Sequence, residues 1–202
     1  GSVYSRDELR ALTDVARDYK LPVHLDGARF ANAIAALGCT PAEMTWKSGI
    51  DVLSFGGTKN GLMGVEAVVM FDPSKLWELE LRRKRAAQLM SKGRYLSAQM
   101  DAYLTDNLWL ENARAANANC ARLAAGLTDL PNVKLANNPD ANIIFASMTR
   151  ETHQRLHAAG AFYYVMADHT AGDPDEMLPA RMVCDWSISH AQIDEFIAHA
   201  KG

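Results

Sequence analysis

Two residues in this chain have the type and setting for small-molecule chemistry. Asp26 closes the short apolar run Val23-His24-Leu25 and is followed by Gly27. Lys59 follows the run Ile50-Asp-Val-Leu-Ser-Phe55 and the segment Gly56-Gly57-Thr58, with Asn60 and Gly61 behind it. Glycines let a backbone come close to a ligand, so an amine set among them can be held in a fixed place. In open α/β sheets ligands collect at the carboxyl ends of the strands, so an acid on one strand end and a lysine after a neighbouring one can share a crevice.

That pairing suits a cofactor such as pyridoxal phosphate, which needs a lysine for its Schiff base and an acid to keep the ring nitrogen protonated. Spacing alone leaves a plainer reading open. Asp26-Gly27 is a common turn dipeptide, and Gly56-Gly57 can be no more than a tight turn. A phosphate-binding P-loop is excluded, because Lys59 lacks the glycine spacing that motif requires.

The elements that must hold these residues follow from the pattern. Ser5-Arg-Asp-Glu8 is a capping box that opens a helix running to about Lys20, with Leu9, Leu12, Val15, Ala16 and Tyr19 at helical spacing. Pro22 ends it, Val23 to Asp26 reads as a buried strand, and a second helix runs from Ala28 to Leu37. Ile50 to Phe55 and Glu66 to Phe71 are the next strands, apolar enough to be covered on both faces. His24 lies two residues before Asp26, so both side chains share one face of their strand and the imidazole could buttress the carboxylate. From Pro73 to about Gly126 the pattern is helical, broken near Ser91-Lys-Gly93. Beyond Pro131 strands and helices alternate: Val133 to Leu135, Asn142 to Ala146, a helix over Arg150 to Ala159, Phe162 to Val165, Ala180 to Cys184, and a last helix opened by the capping box Ser189-His-Ala-Gln192.

Composition narrows the classes of function. The 49% hydrophobic content supports a real core, and 24 acidic residues against 21 basic ones leave no charged field for nucleic acid. Three widely spaced cysteines, Cys39, Cys120 and Cys184, suit reduced thiols in a cytoplasmic protein and define no metal site. No apolar run has membrane length, so no membrane partner is expected.

The motifs in order, His24-Leu-Asp-Gly-Ala-Arg29 and Asp51-Val-Leu-Ser-Phe-Gly-Gly-Thr-Lys-Asn-Gly61, resemble those of the low-specificity L-threonine aldolases of the β-eliminating lyase group. The resemblance continues through Lys92-Gly-Arg-Tyr-Leu-Ser-Ala-Gln99, Asn107-Leu-Trp109, Ala113-Arg-Ala-Ala-Asn117 and Arg181-Met-Val-Cys-Asp-Trp186. It implies an α/β fold of the pyridoxal-phosphate fold type I class, comprising a portion of the large domain and a small C-terminal α+β domain. The expected division is 1–72 for the second part of the large domain, 73–127 for connecting helices and 128–202 for the small domain. The resemblance also implies pyridoxal 5'-phosphate as cofactor, with Lys59 as the catalytic Schiff-base lysine and Asp26 at the pyridinium nitrogen. Arg29 and Arg181 match the two arginines that hold the substrate carboxylate. Ser54 and Thr58 are candidates for the cofactor phosphate, and His24 for a supporting contact. The implied reaction cleaves the Cα–Cβ bond of L-threonine or allo-threonine, giving glycine and an aldehyde. The implied assembly is a homodimer or homotetramer, with the basic run Arg82-Arg-Lys-Arg85, Lys92 and Arg94 near the subunit contact.

The departure from the family pattern is at the beginning, where a glycine-rich phosphate cradle and a ring-stacking histidine have no match. Only about three strands are expected in the first part, so the expectation is that the sequence is the later portion of a longer enzyme. Two alternatives follow: another fold type I lyase catalysing β-elimination, or a non-catalytic fragment or interaction module lacking the N-terminal half.

Overall fold

Helix α1 (Arg6–Asp18) starts at the capping box that the sequence predicts: the Ser5 hydroxyl accepts from the Glu8 amide, and the Glu8 carboxylate accepts from the Ser5 amide at 2.8 Å. Its apolar stripe buries Leu9, and the Thr13 hydroxyl on the same side donates to the Ser48 carbonyl at 2.6 Å. Strand β1 (His24–Gly27), helix α2 (Phe30–Leu37), strand β2 (Val52–Phe55) and strand β3 (Ala67–Met70) follow. The computed structural model describes residues 1–202, which divide into two units, residues 4–112 and residues 1–3 with 113–202.

In the first unit β1 and β2 are parallel and β2 and β3 antiparallel, in the order β1-β2-β3. Register decides which side chains meet. Leu25, Gly27, Leu53 and Phe55 share one face with Val69 and Ala67; His24, Asp26, Val52 and Ser54 share the other with Met70 and Val68. Phe55 sits on the covered face in an aromatic cluster with Phe30, Tyr103 and Trp109, at centroid separations of 6.0, 5.9 and 5.7 Å. The expectation that these strands are covered on both faces fails within this chain: His24, Asp26 and Val68 are exposed, because the helices of this unit bury only the Leu53–Phe55 side.

The helical stretch divides into α3 (Leu76–Arg85), α4 (Arg94–Leu104) and α5 (Leu108–Thr128). The break between α3 and α4 falls over residues 86–93, around Ser91 to Gly93 as the sequence predicts, and carries positive φ at Ala87 and Lys92. None of the helices is long and apolar enough to cross a membrane.

The second unit holds β4 (Val133–Leu135), β5 (Ile143–Thr149), α6 (Arg150–Ala158), β6 (Tyr164–Val165), β7 (Met177–Val183) and α7 (His190–Lys201), with the sheet order β4-β5-β7-β6 and every pairing antiparallel. Alternate residues of β5 and β7 are buried, and Ile144, Met148, Leu178, Ala180 and Met182 point into the core. Leu123 and Leu127 of α5, Leu156 of α6 and Ile193 of α7 complete it. Strand β7 begins three residues earlier than the sequence suggests. Pro179 reads as a strand breaker, yet it pairs opposite Ser147 while its carbonyl accepts from the Met166 amide at 2.8 Å.

Candidate active site

Because β1 and β2 are parallel, their carboxyl ends lie side by side; Asp26 is the third residue of β1, and Lys59 lies in the turn that follows the end of β2 at Phe55. Asp26 is paired in register with Ser54. The close approach of the two segments depends on glycine. The Gly56 amide donates to the Gly27 carbonyl at 3.0 Å, and a Cβ on Gly56 would lie 2.4 Å from the Ala28 carbonyl oxygen. A Cβ on Gly27 would come within 2.6 Å of the Ser54 carbonyl oxygen. The glycines the sequence marks are therefore those that let the acid-bearing and lysine-bearing segments touch.

Asp26 is exposed, and its Oδ1 accepts from the Ala28 amide at 3.0 Å, an Asx turn that fixes the carboxylate at the strand end. His24 shares its face, as the sequence predicts, but the imidazole Nε2 is hydrogen-bonded to the Ser54 hydroxyl at 2.8 Å. Arg29 occupies the N-cap position of α2, immediately after this turn.

Lys59 sits in the middle of a single 3₁₀ turn, Thr58–Asn60, with its side chain exposed. Both ends of the turn are tied down. On the incoming side the Glu66 carboxylate accepts from the Gly57 amide at 3.0 Å and from the Thr58 amide at 3.1 Å. On the outgoing side Asn60 is buried, and its Nδ2 donates to the Tyr103 hydroxyl at 2.5 Å and to the Trp109 carbonyl at 2.8 Å. Asn112 Nδ2 donates to the Asn60 carbonyl at 3.0 Å, and the Tyr103 hydroxyl donates to the Gly56 carbonyl at 3.3 Å.

Glu66, Asn60 and Tyr103 are residues that the sequence does not single out, yet they hold the turn that carries Lys59. Glu66 reads as the start of a strand and Tyr103 as one more apolar position of a helix. Asn60 carries the only local signal, an amide directly after the key lysine, and its partners lie 43 and 49 residues away.

Arg181 belongs to the other unit. It lies on the exposed face of β7 with its guanidinium over the Tyr164 ring, 5.8 Å from the centroid. It borders a cavity of about 600 Å³ whose other walls include Tyr163, Leu156, Ile193 and Phe196.

Comparison with known proteins agrees with the motif resemblance. The family model described as beta-eliminating lyase matches residues 1–151. The chain is 42% identical over 199 residues to the low specificity L-threonine aldolase of Pseudomonas sp. (strain NCIMB 10558), covering 98% of this chain and 55% of that protein. It is 40% identical over 196 residues to the low specificity L-threonine aldolase of Pseudomonas aeruginosa, covering 96% of this chain and 54% of that protein. Among solved structures, Leishmania major threonine aldolase matches with a TM-score of 0.85 at 24% identity, over 100% of this chain and 57% of that one. Serine palmitoyltransferase of Sphingomonas wittichii matches with a TM-score of 0.71 at 18% identity, over 96% of this chain and 49% of that one. The chain thus spans about half the length of the relatives it matches, and its fold is that of the fold type I pyridoxal-phosphate enzymes. With the family model covering three-quarters of its residues, the chain belongs to the beta-eliminating lyase family.

Proposed function

We propose that the protein is a pyridoxal-phosphate-dependent lyase that cleaves the Cα–Cβ bond of L-threonine, allo-threonine and related β-hydroxy amino acids to glycine and an aldehyde. The observation that carries this reading is the 42% identity to a low specificity L-threonine aldolase across nearly the whole chain, with Asp26 near the end of β1 and Lys59 in the turn after the adjoining parallel strand β2.

The residues present fit the cofactor in their chemistry. An exposed amine and a carboxylate in the neighbouring strand are the pair that a pyridine aldehyde cofactor uses, and the hydroxyls of Ser54 and Thr58 can serve its phosphate. The amides of Gly57 and Thr58 do not take part, because Glu66 occupies both. When bound, the cofactor supplies an electron sink for the carbon from which the aldehyde leaves. Lys59 is the residue that would hold it covalently, and Asp26 the one that would keep a proton on its ring nitrogen. The Asx turn at Ala28 serves that role by keeping the carboxylate from rotating away. Arg29 and Arg181, each assigned by resemblance, would take the substrate carboxylate; a planar guanidinium gripping it at two points fixes which Cα bond is presented for cleavage.

The β-elimination reading is supported by the family description, and products separate the two. With L-threonine the complete enzyme is expected to release glycine and acetaldehyde, and Lys59→Ala to lower that turnover by at least a thousandfold. Release of ammonia and a keto acid instead would establish β-elimination, and full turnover by Lys59→Ala would remove Lys59 from the reaction. A protein that takes up no cofactor would favour the interaction-module reading.

The same reading places the protein in the cytoplasm, supported by three unpaired cysteines. It also makes the protein a homodimer or homotetramer, supported by the exposed Leu76, Trp77, Leu89, Met90 and Tyr95 along α3, α4 and the segment between them.

A further inference from the structure

The residue that follows Lys59 is the centre of a buried polar cluster. Asn60 is 3% exposed and Tyr103 is 1% exposed, so their polar atoms must be satisfied within the protein or carry a desolvation penalty. They satisfy each other: Asn60 donates to the Tyr103 hydroxyl and the Trp109 carbonyl, Tyr103 donates to the Gly56 carbonyl, and Asn112 donates to the Asn60 carbonyl. An apolar pair of similar size would fill the same space without this network. What the network adds is position, since one hydroxyl, on α4, ties down the residue three before Lys59 and the residue one after it. Burial raises the Tyr103 pKa, which keeps that hydroxyl protonated and able to donate.

We propose that Asn60 and Tyr103 are positioning residues that fix the turn carrying Lys59, so that its amine meets the cofactor aldehyde in one geometry. The inference rests on the function proposed above. Gly57 and Gly61 flank the turn, and Gly61 has a φ of +123°, so the segment has little stiffness of its own. With Glu66 holding the incoming amides and the Asn60–Tyr103 pair the outgoing end, the lysine backbone is anchored while its side chain stays exposed. A side chain displaced by about 1 Å from productive geometry loses up to a hundredfold in rate, which sets the scale of what such anchoring controls.

The test uses the complete holoenzyme and three variants. Tyr103→Phe removes the hydroxyl and keeps the ring against Phe55; Asn60→Ala removes the amide; Ile34→Val is a control at a buried residue of the same unit that takes no part in the network. Each is stripped of cofactor, and the rate at which the apoenzyme captures pyridoxal phosphate at Lys59 is followed by borohydride trapping and peptide mass. Capture by Tyr103→Phe and Asn60→Ala, each of which removes two buried hydrogen bonds, is expected to slow by about five- to tenfold or more. The turnover number kcat should fall in the same proportion, while KM for the amino acid stays within about twofold, because the carboxylate-binding arginines are untouched. Ile34→Val should lose thermal stability without change in capture rate or kcat. Capture and kcat in both network variants equal to those of Ile34→Val would overturn the proposal. Should Tyr103→Phe fail to fold, Asn60→Ala decides alone. A parent enzyme that captures no cofactor at Lys59 would instead overturn the functional reading, and this inference with it.

Discussion

Gly56 shows at the scale of a single residue how the site is specified. Its missing side chain lets one strand end lie against the other, and a Cβ there would meet three backbone atoms of Ala28 within 2.8 Å. Backbone cannot rotate aside as a flexible side chain can, so Gly56→Ala is expected to destabilise the protein by about 1–3 kcal/mol, the cost of overpacking. Urea unfolding measures this. Gly64→Ala is the comparison, since nothing lies within 4 Å of a Cβ there, and its change should stay within about 0.5 kcal/mol. Equal effects at the two positions would mean that the close approach is not what Gly56 provides. Asp26 and Lys59 stand out in the sequence as candidates because each sits in a short motif at or after the end of an apolar run. The residues that hold Lys59 do not, since the bonds from Asn60 to Tyr103 and Trp109 span 43 and 49 residues and no local pattern encodes them.

The same contrast appears at the scale of elements. The caps at Ser5 and Ser189 were readable because both partners of a capping box lie within four residues, and both boxes are formed. The histidines around α6 were not readable as a group. His157 stacks between Tyr163 and His169, at centroid distances of 4.7 and 4.6 Å, and the fully buried His153 lies beside them. His153 Nε2 faces the Leu178 carbonyl at 3.0 Å and so carries the hydrogen, which leaves Nδ1 to accept from the Tyr163 hydroxyl at 2.8 Å. Burial lowers the pKa of His153, with His169, His157 and the buried Arg150 adding to it; burial and then His169 lower that of His157. The unfolded chain therefore takes up protons near the ordinary value of 6.5 while the folded chain resists them. Stability from this cluster is complete above about pH 6.5 and is lost as pH falls below it. The lowered carboxylates act in a more acidic window, below their ordinary values of 3.8 for Asp168 and Asp194 and 4.5 for Glu8, Glu43 and Glu78. The thermal midpoint should thus drop between pH 7 and pH 5, and His157→Phe, which keeps a ring in the stack, should make that drop shallower. A variant that loses stability as steeply as the parent over this range would show that the cluster does not control it.

For the whole molecule, the α/β order of elements and the small α+β unit followed from hydrophobic periodicity, and the family followed from motifs that lie close in sequence. The composition of the units did not, because it depends on long-range contacts. Val3 joins the C-terminal unit through an amide hydrogen bond to Asp140 at 2.9 Å, and Tyr103 and Trp109 complete a core begun by Phe30 and Phe55. The β7 boundary was obscured by Pro179, which a strand pattern rejects and the antiparallel sheet accommodates. The claim on which the functional account turns is that Lys59, alone among the lysines, bonds the cofactor. Borohydride reduction of the complete enzyme with pyridoxal phosphate, followed by peptide mass mapping, tests it most directly. The account predicts one reduced cofactor per chain, carried on the peptide that contains Lys59 and absent from Lys59→Ala. An adduct on a different lysine, or the same yield from Lys59→Ala, would contradict it.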